Sequence, residues 1–460
     1  MAADERQWKT GRRELLGAVG LGLAVQACGG EAGDDLVASA GARLAVPPER
    51  VPESGAFPTG VASGDVAEDS AVLWTQHTGA LELELVVYAM RGPEYAAEVV
   101  AARVPRTAAG FVHATVRGLE AGARYRYVFF EVEGSVRRGR SAVGRFRCAL
   151  APGALEPVTF GATACTANGR SMAALSRAAE AGLDLHLLLG DTTYNDDART
   201  LGEYRARWSS QLRTPGYLAL RASTSLLATW DDHEVTNDWN PETLDPGRVA
   251  IARDTYFESL PLGRIAGAPD RLWRKASWGG TADFFVLDGR SERLPSTRRR
   301  DEAQYLSRAQ MDWLKAELTA SRAVFKVIVN SVPVGDFPGL FDFIQRDRWE
   351  GYPAARDELL RHVEGTGIPG VLFVSGDFHL GSVGRVSRRG LGSATYEVLA
   401  GPGDQSPNPI AGTLGGEQFE WVTSRSNYTS FSLDPASRAV LVRHVDGGGR
   451  TLNEQVLTVG

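Results

Sequence analysis

Four short segments concentrate side chains able to bind metal ions, and each follows an apolar run. They are FGATAC ending at Cys165, LLLGDTTYND with Asp191 and Tyr194, ATWDDHE with Asp231, Asp232 and His233, and VLFVSGDFH with Asp377 and His379. Carboxylates gathered at one point repel one another and take up protons unless cations neutralise them. Thiolate, phenolate and imidazole are donors that favour a transition metal, whereas carboxylate and amide oxygens suit Ca2+, Mg2+ or Mn2+. Two unlike cations are therefore the chemistry to which this collection points. A single Gly-Asp after a strand is ordinarily a turn or a helix cap. The recurrence at several strand ends is what signals a site.

These segments need a scaffold that brings strand ends together. Beyond APGALEP, the runs VTFGATAC, LDLHLLLGD, STSLLATWDD and FKVIVNS read as strands, and MAALSRAAEAG, YRARWSSQL and AQMDWLKAELTAS as helices. Strands alternating with helices predict an α/β domain whose mainly parallel sheet is covered on both faces, with its site beyond the carboxyl ends of the strands. From about 60 to 148 the pattern changes to short runs of period two, such as LELELVVYA and RYRYVFFEV, which predict a small β-sandwich. That part carries no cluster of reactive side chains; His77 and His113 stand singly and read as structural. The division is thus 57–150 for the sandwich and 151–460 for the catalytic domain.

The remaining features set limits. TGRRELLGAVGLGLAVQACGG, which carries the end of a signal-like segment at residues 1–28, has Arg12 and Arg13, an apolar stretch and small residues before Cys28. It resembles a twin-arginine signal ending in a lipoprotein cleavage site, so export through the twin-arginine machinery and a lipid anchor at Cys28 are expected, placing the protein in the periplasm or at the cell surface. The stretch is too short and glycine-rich to read as a membrane span. Residues 29–56, rich in Gly, Ala, Pro and acid, read as a flexible linker. A net charge of −6 without long basic runs argues against nucleic acid as a partner. Among three cysteines, Cys148 and Cys165 could form one disulfide, but a disulfide framework is not indicated. The chain has no G-x-S-x-G elbow and no P-loop, which disfavours serine hydrolases and nucleoside triphosphatases.

The ordered set GDTTYND, TWDDHEVTND, DFFVLDGR, DRWEGYPAARDELL and FVSGDFH resembles PhoD-type alkaline phosphatases and phosphodiesterases, within the calcineurin-like metallophosphoesterases. The resemblance runs from FPTGVASGDV at 57 almost to the C-terminus. It implies a β-sandwich followed by a four-layered αββα catalytic domain, with Fe3+ and Ca2+ in the site. It also implies an exported enzyme that hydrolyses phosphomonoesters or phosphodiesters with a metal-bound hydroxide and an alkaline pH optimum. Zn2+ or Mn2+, as in a nucleotidase-like relative, is the alternative metal content. A surface lipoprotein that binds phosphorylated ligands without turnover is the alternative of a different class.

Carried over residue by residue, the resemblance makes Cys165, Asp191, Tyr194 and His379 ligands of the first metal, with Asp191 bridging to the second. Asp232, Asp377 and Asn330 fall on positions of the second metal, and His233 on the catalytic residue facing the phosphate. Hard oxygen donors there give a physical reason for calcium. Asn237, Arg170 and Arg290 are candidates for substrate contact, with Asp231 and Asn237 as alternative oxygen donors; an ion pair between Asp288 and Arg290 is an equal reading. TACTANGR replaces the family's serine-cysteine-glutamine run, keeping the cysteine but placing Ala164 and Thr166 beside it. Asn168 or Arg170 would then supply the missing phosphate contact. The loop-like stretch 401–421 is expected to border the pocket.

Overall fold

A computed structural model describes residues 35–39, 43–337 and 347–459. The signal-like segment with Cys28, and part of the linker, lie outside the described residues. None of the described helices is long and apolar enough to cross a membrane.

The strands Leu185–Leu189, Ser225–Thr229, Phe325–Val329 and Val371–Ser375 are buried along their whole length. Continuous apolar runs of this kind belong to parallel strands covered on both faces. They are divided between two sheets. In one, Val158–Thr163, Leu185–Leu189 and Ser225–Thr229 pair in parallel. In the other, Ala282–Val286, Phe325–Val329, Val371–Ser375 and Tyr396–Leu399 do the same. Their inner faces meet in one core that includes Phe160, Leu187, Phe284, Val327, Val374 and Phe431.

The helices Ala173–Glu180, Leu201–Leu212, Pro215–Ser223 and Pro246–Ser259 cover the first sheet, and Arg308–Ala320 and Pro353–Gly365 cover the second. The result is the four-layered αββα arrangement implied by the family resemblance. Local signals fix the helix starts. Thr200 and Glu203 form a reciprocal capping box, and Asp245 caps Pro246–Ser259 through Gly247 N and Arg248 N.

The N-terminal part is a sandwich, but it is not separate. Its six-stranded sheet holds Glu82–Arg91, Glu94–Val104, Arg124–Glu133 and Gly144–Arg147. Across a core containing Leu73, Leu85, Tyr127, Phe129 and Cys148, this sheet faces Val61–Gly64, Ser70–Gln76 and Phe111–Arg117. Val61–Gly64 then pairs in parallel with Ser225–Thr229, Ser63 opposite Ser225 and Gly64 opposite Leu226. One sheet of ten strands therefore runs through both halves. Arg221 fastens them further: it is buried, lies 4.3 Å from the Trp74 ring centroid and donates to Thr59 O at 2.7 Å. At its far edge this sheet is extended by the antiparallel strands Asn427–Asp434, Ala439–Asp446 and Thr451–Thr458. Cys148 and Cys165 are free buried thiols.

Strand ends in the first sheet approach one another closely. Gly190, between Leu189 and Asp191, has φ +93°, and a Cβ there would lie 2.4 Å from Asp231 Cβ and 2.8 Å from Asp231 N. Gly190→Ala is expected to lower stability by about 1–3 kcal/mol, read by equilibrium denaturation; an unchanged midpoint would show that this crossing tolerates a methyl group.

Candidate metal centre

The reactive side chains lie just past parallel strands. Cys165 follows Val158–Thr163 by two residues, Asp191 follows Leu185–Leu189, Asp231 follows Ser225–Thr229 and Asp377 follows Val371–Ser375 at the same distance. At these ends the chain turns sharply. Cys165, Asp191, Asp377 and His379 have φ of 57°, 53°, 61° and 49°, a left-handed conformation uncommon for non-glycine residues.

Three groups of donors form there, each with one ligand atom per residue within 4.8 Å of the others. Cys165, Asp191 and His379 make the first, Asp191, Asp232 and His233 the second, and Asp231, Asp232 and Asp377 the third. Asp191 is common to the first two. Tyr194 Oη donates to Asp191 Oδ2 at 3.3 Å, so the phenol lies beside the first group. Its ring packs on His233 with centroids 4.0 Å apart. Asn330 is fully buried; its Nδ2 donates to Val332 O while its Oδ1 has no hydrogen-bond partner among the described residues.

Electrostatics tests whether cations fit. Burial, then Asp232, pushes the Asp191 carboxyl well above its usual range. Burial and Asp231 do the same to Asp377. The Cys165 thiol is raised by burial and then by Asp191 and Asp377, and the Tyr194 phenol by burial, Asp191 and Cys165. Such a set holds its protons in the absence of positive charge and becomes a set of anionic ligands only beside cations. Sulfur, phenol and imidazole around the first group suit a transition metal, and the oxygens of the second suit a harder ion. The residues present thus fit two cations.

His233 has a partner with no signal in the sequence. Its Nδ1 lies 2.8 and 2.9 Å from the two carboxylate oxygens of Asp196, which leaves Nε2 as the nitrogen available to a ligand. Burial opposes the imidazolium, but the Asp196 hydrogen bond and the charges of Asp191 and Asp232 outweigh it and raise the pKa to about 10. Asp196 also accepts from Asn237 N at 2.6 Å. The aspartate sits in the same GDTTYND run as Asp191, but only the folding of that loop onto His233 gives it a role.

Glu234 neither binds nor orients the imidazole. Fully buried, it accepts from Asp191 N at 3.1 Å, Thr192 N at 2.6 Å and Asp231 N at 2.9 Å, and so ties two strand ends together. TACTANGR braces the same loops. Thr166 Oγ1 donates to Asp191 O at 3.0 Å, and Asn168 exchanges bonds with the backbone of Tyr194, Nδ2 to O at 2.8 Å and N to Oδ1 at 3.2 Å. Asn168 is therefore a loop clamp.

Arg170 is exposed. Asn237 is exposed and donates from Nδ2 to Asp238 at 3.0 Å. Arg290 is buried and binds Asp231 through two bonds of 2.5 and 3.0 Å. The side chain of Asp288 instead accepts from Trp230 Nε1, Arg290 N and Ser291 N, so the two do not form the ion pair considered from sequence. The stretch after Gly401 does border the site: Gly403 N donates to Ala164 O, Asp404 N to Cys165 O and Asn408 N to His379 O.

Two stacked sheets with candidate metal donors at their strand ends make a four-layered αββα fold with a metal-type site. The family comparison narrows the class. The PhoD-like phosphatase model matches residues 160–404 and the model of the PhoD-like phosphatase N-terminal domain matches 42–150, so the chain belongs to the PhoD-like phosphatase family. It is 27% identical over 380 residues to alkaline phosphatase D of Bacillus subtilis, covering 70% of this chain and 64% of that protein's length. A solved structure of PhoD superposes with a TM-score of 0.73 at 22% identity, covering 87% of this chain and 93% of the other. Purple acid phosphatase PPD1 from yellow lupin seeds shares the fold at a TM-score of 0.62 and 13% identity, over 87% of this chain and 73% of that one.

Proposed function

We propose that the protein is a metal-dependent phosphoester hydrolase acting on small phosphomonoesters or phosphodiesters. The observation that carries this reading is the sharing of Asp191 between two donor groups of unlike chemistry. Cys165, Asp191, Tyr194 and His379 would hold Fe3+, and Asp191, Asp232, Asp377 and Asn330 would hold Ca2+. Paired cations there supply Lewis acidity to the phosphate oxygens and lower the pKa of a water. His233, whose pKa the Asp196 hydrogen bond raises, is suited to stabilise the phosphoryl oxygens or, in its protonated form, to give a proton to the leaving alkoxide.

The proposal extends to an alkaline optimum, and to export by the twin-arginine route with a lipid anchor at Cys28. These rest on the amino-acid sequence alone. The test compares a chromogenic monoester and a diester of the same alcohol, with Ca2+ and with chelator, alongside metal analysis of protein made in its native host. Turnover lost on chelation supports the reading. Tight binding of phosphoesters without turnover would instead make the protein a ligand-binding surface protein, and active enzyme loaded with Zn2+ or Mn2+ would make it nucleotidase-like.

Asp196→Asn is expected to lower kcat by about 10- to 100-fold, as loss of a carboxylate behind a site histidine does. The sign on pH follows from the raised His233 pKa. Asp196 favours the charged ring, so removing its charge brings the loss of the proton to lower pH. Cations beside Asp191 and Asp232 act in the same direction in both proteins. The alkaline limb of the kcat profile should therefore move downward in the variant; an unmoved limb would show that His233 is not the group titrating there.

A further inference from the structure

Three carboxylates, Asp231, Asp232 and Asp377, place oxygens within 4.8 Å of one another, which by itself resembles a further cation site. A cation of the chain's own already stands there. Arg290 binds Asp231 through Nε and Nη2, and Nη2 lies 3.7 Å from both Asp232 Oδ1 and Asp377 Oδ1. We propose that Arg290 is a built-in counter-cation that fills this position, so that Asp231 serves the guanidinium and does not ligate a metal. This rests on the metal-dependent reading of the site.

Four observations carry it. The Arg290 and Asp231 side chains are 1% and 0% exposed, so solvent does not screen the pair or exchange with it. The two-bond geometry is the fork that a planar guanidinium makes with a carboxylate, and the group keeps its charge at every working pH. Arg290 is held in place from behind: its N–H donates to Asp288 Oδ1 at 3.1 Å, Trp230 Nε1 donates to the same oxygen at 3.0 Å, and Gln310 bonds Asp288 N and O at 2.9 and 3.1 Å. Finally, Asp231 N–H is already committed to Glu234, so the residue is fixed toward the arginine on both its backbone and its side chain.

Charge then divides the group. Asp231 is neutralised internally, whereas Asp232 and Asp377 keep the longer 3.7 Å approach and remain the oxygens offered to a metal. A single positive charge at fixed distance also permits two aspartates to stand side by side in DD of TWDDHE without a metal on each.

The test measures bound metal per chain, not turnover, on the full protein equilibrated with excess Ca2+ and separated from free ion. Asp231→Asn, which still accepts from Arg290, is expected to keep the wild-type metal count. Arg290→Met is expected to take up one more ion per chain than wild type, and Arg290→Lys to return to the wild-type count. Loss of one ion on Asp231→Asn would overturn the proposal, as would an unchanged count on a folded Arg290→Met. Should Arg290→Met not fold, the Asp231→Asn count decides alone. A wild-type chain that binds no metal, with no turnover, would instead sink the phosphoesterase reading, and the difference between Arg290→Met and wild type would still be read.

Discussion

Asp191→Asn is expected to remove turnover and metal together, with kcat/KM falling by roughly a thousandfold or more, the loss of several kcal/mol of transition-state stabilisation that bound cations supply. Asparagine is the informative replacement. It tolerates the left-handed backbone at φ 53° that alanine would strain, and its one carbonyl oxygen can still accept from either Tyr194 Oη or His233 N, which bond different oxygens of the aspartate. What it lacks is the charge that two cations would share. Because Asp191 is common to two donor groups, both positions should weaken at once. Metal content measured beside kcat/KM checks this, and a variant that kept its full content would show that Asp191 is not the bridge.

His233→Ala separates the two properties. Turnover should fall by about 100- to 10,000-fold, the range for loss of a positioned acid or base, while metal content stays near that of wild type. The reason lies in the ring's partners. Nδ1 is engaged by Asp196, whose carboxylate favours the imidazolium, a form that repels a cation, and Tyr194 packs on one side. The same ring is also within reach of Asp191 and Asp232 as a possible donor. Equal loss of metal and turnover would therefore reassign His233 as a ligand, and measurement of both quantities on one preparation decides it.

Much of this site is legible in the amino-acid sequence, because polar residues just past buried strands keep their position whatever the loops do. Cys165, Asp191, Asp232 and Asp377 are of that kind. Periodicity does not reveal how the strands are shared between sheets, since a buried parallel strand reads alike in either; the four layers follow from the family resemblance. Asp196 escapes sequence reasoning because its role depends on a loop bending back to His233, a contact with no periodic signature. Arg290 reads equally as a phosphate contact or as the ion-pair partner of Asp288, because an arginine near an acidic cluster can face substrate or the interior, and sequence does not say which. Asn168 is likewise placed at the phosphate by sequence, yet its amide complements the backbone of Tyr194. The junction of sandwich and catalytic half is hidden too, because the four residues VASG carry no signal of a partner more than a hundred residues away.

That junction bears on how the gene can be cut. A boundary near residue 150 looks like a natural place to trim, yet excising what precedes it would bare the edge of Ser225–Thr229 and strip Arg221 of Thr59 and Trp74. Bare strand edges invite pairing between chains, so the shortened product would tend to clump, and the two halves are expected to fold only together.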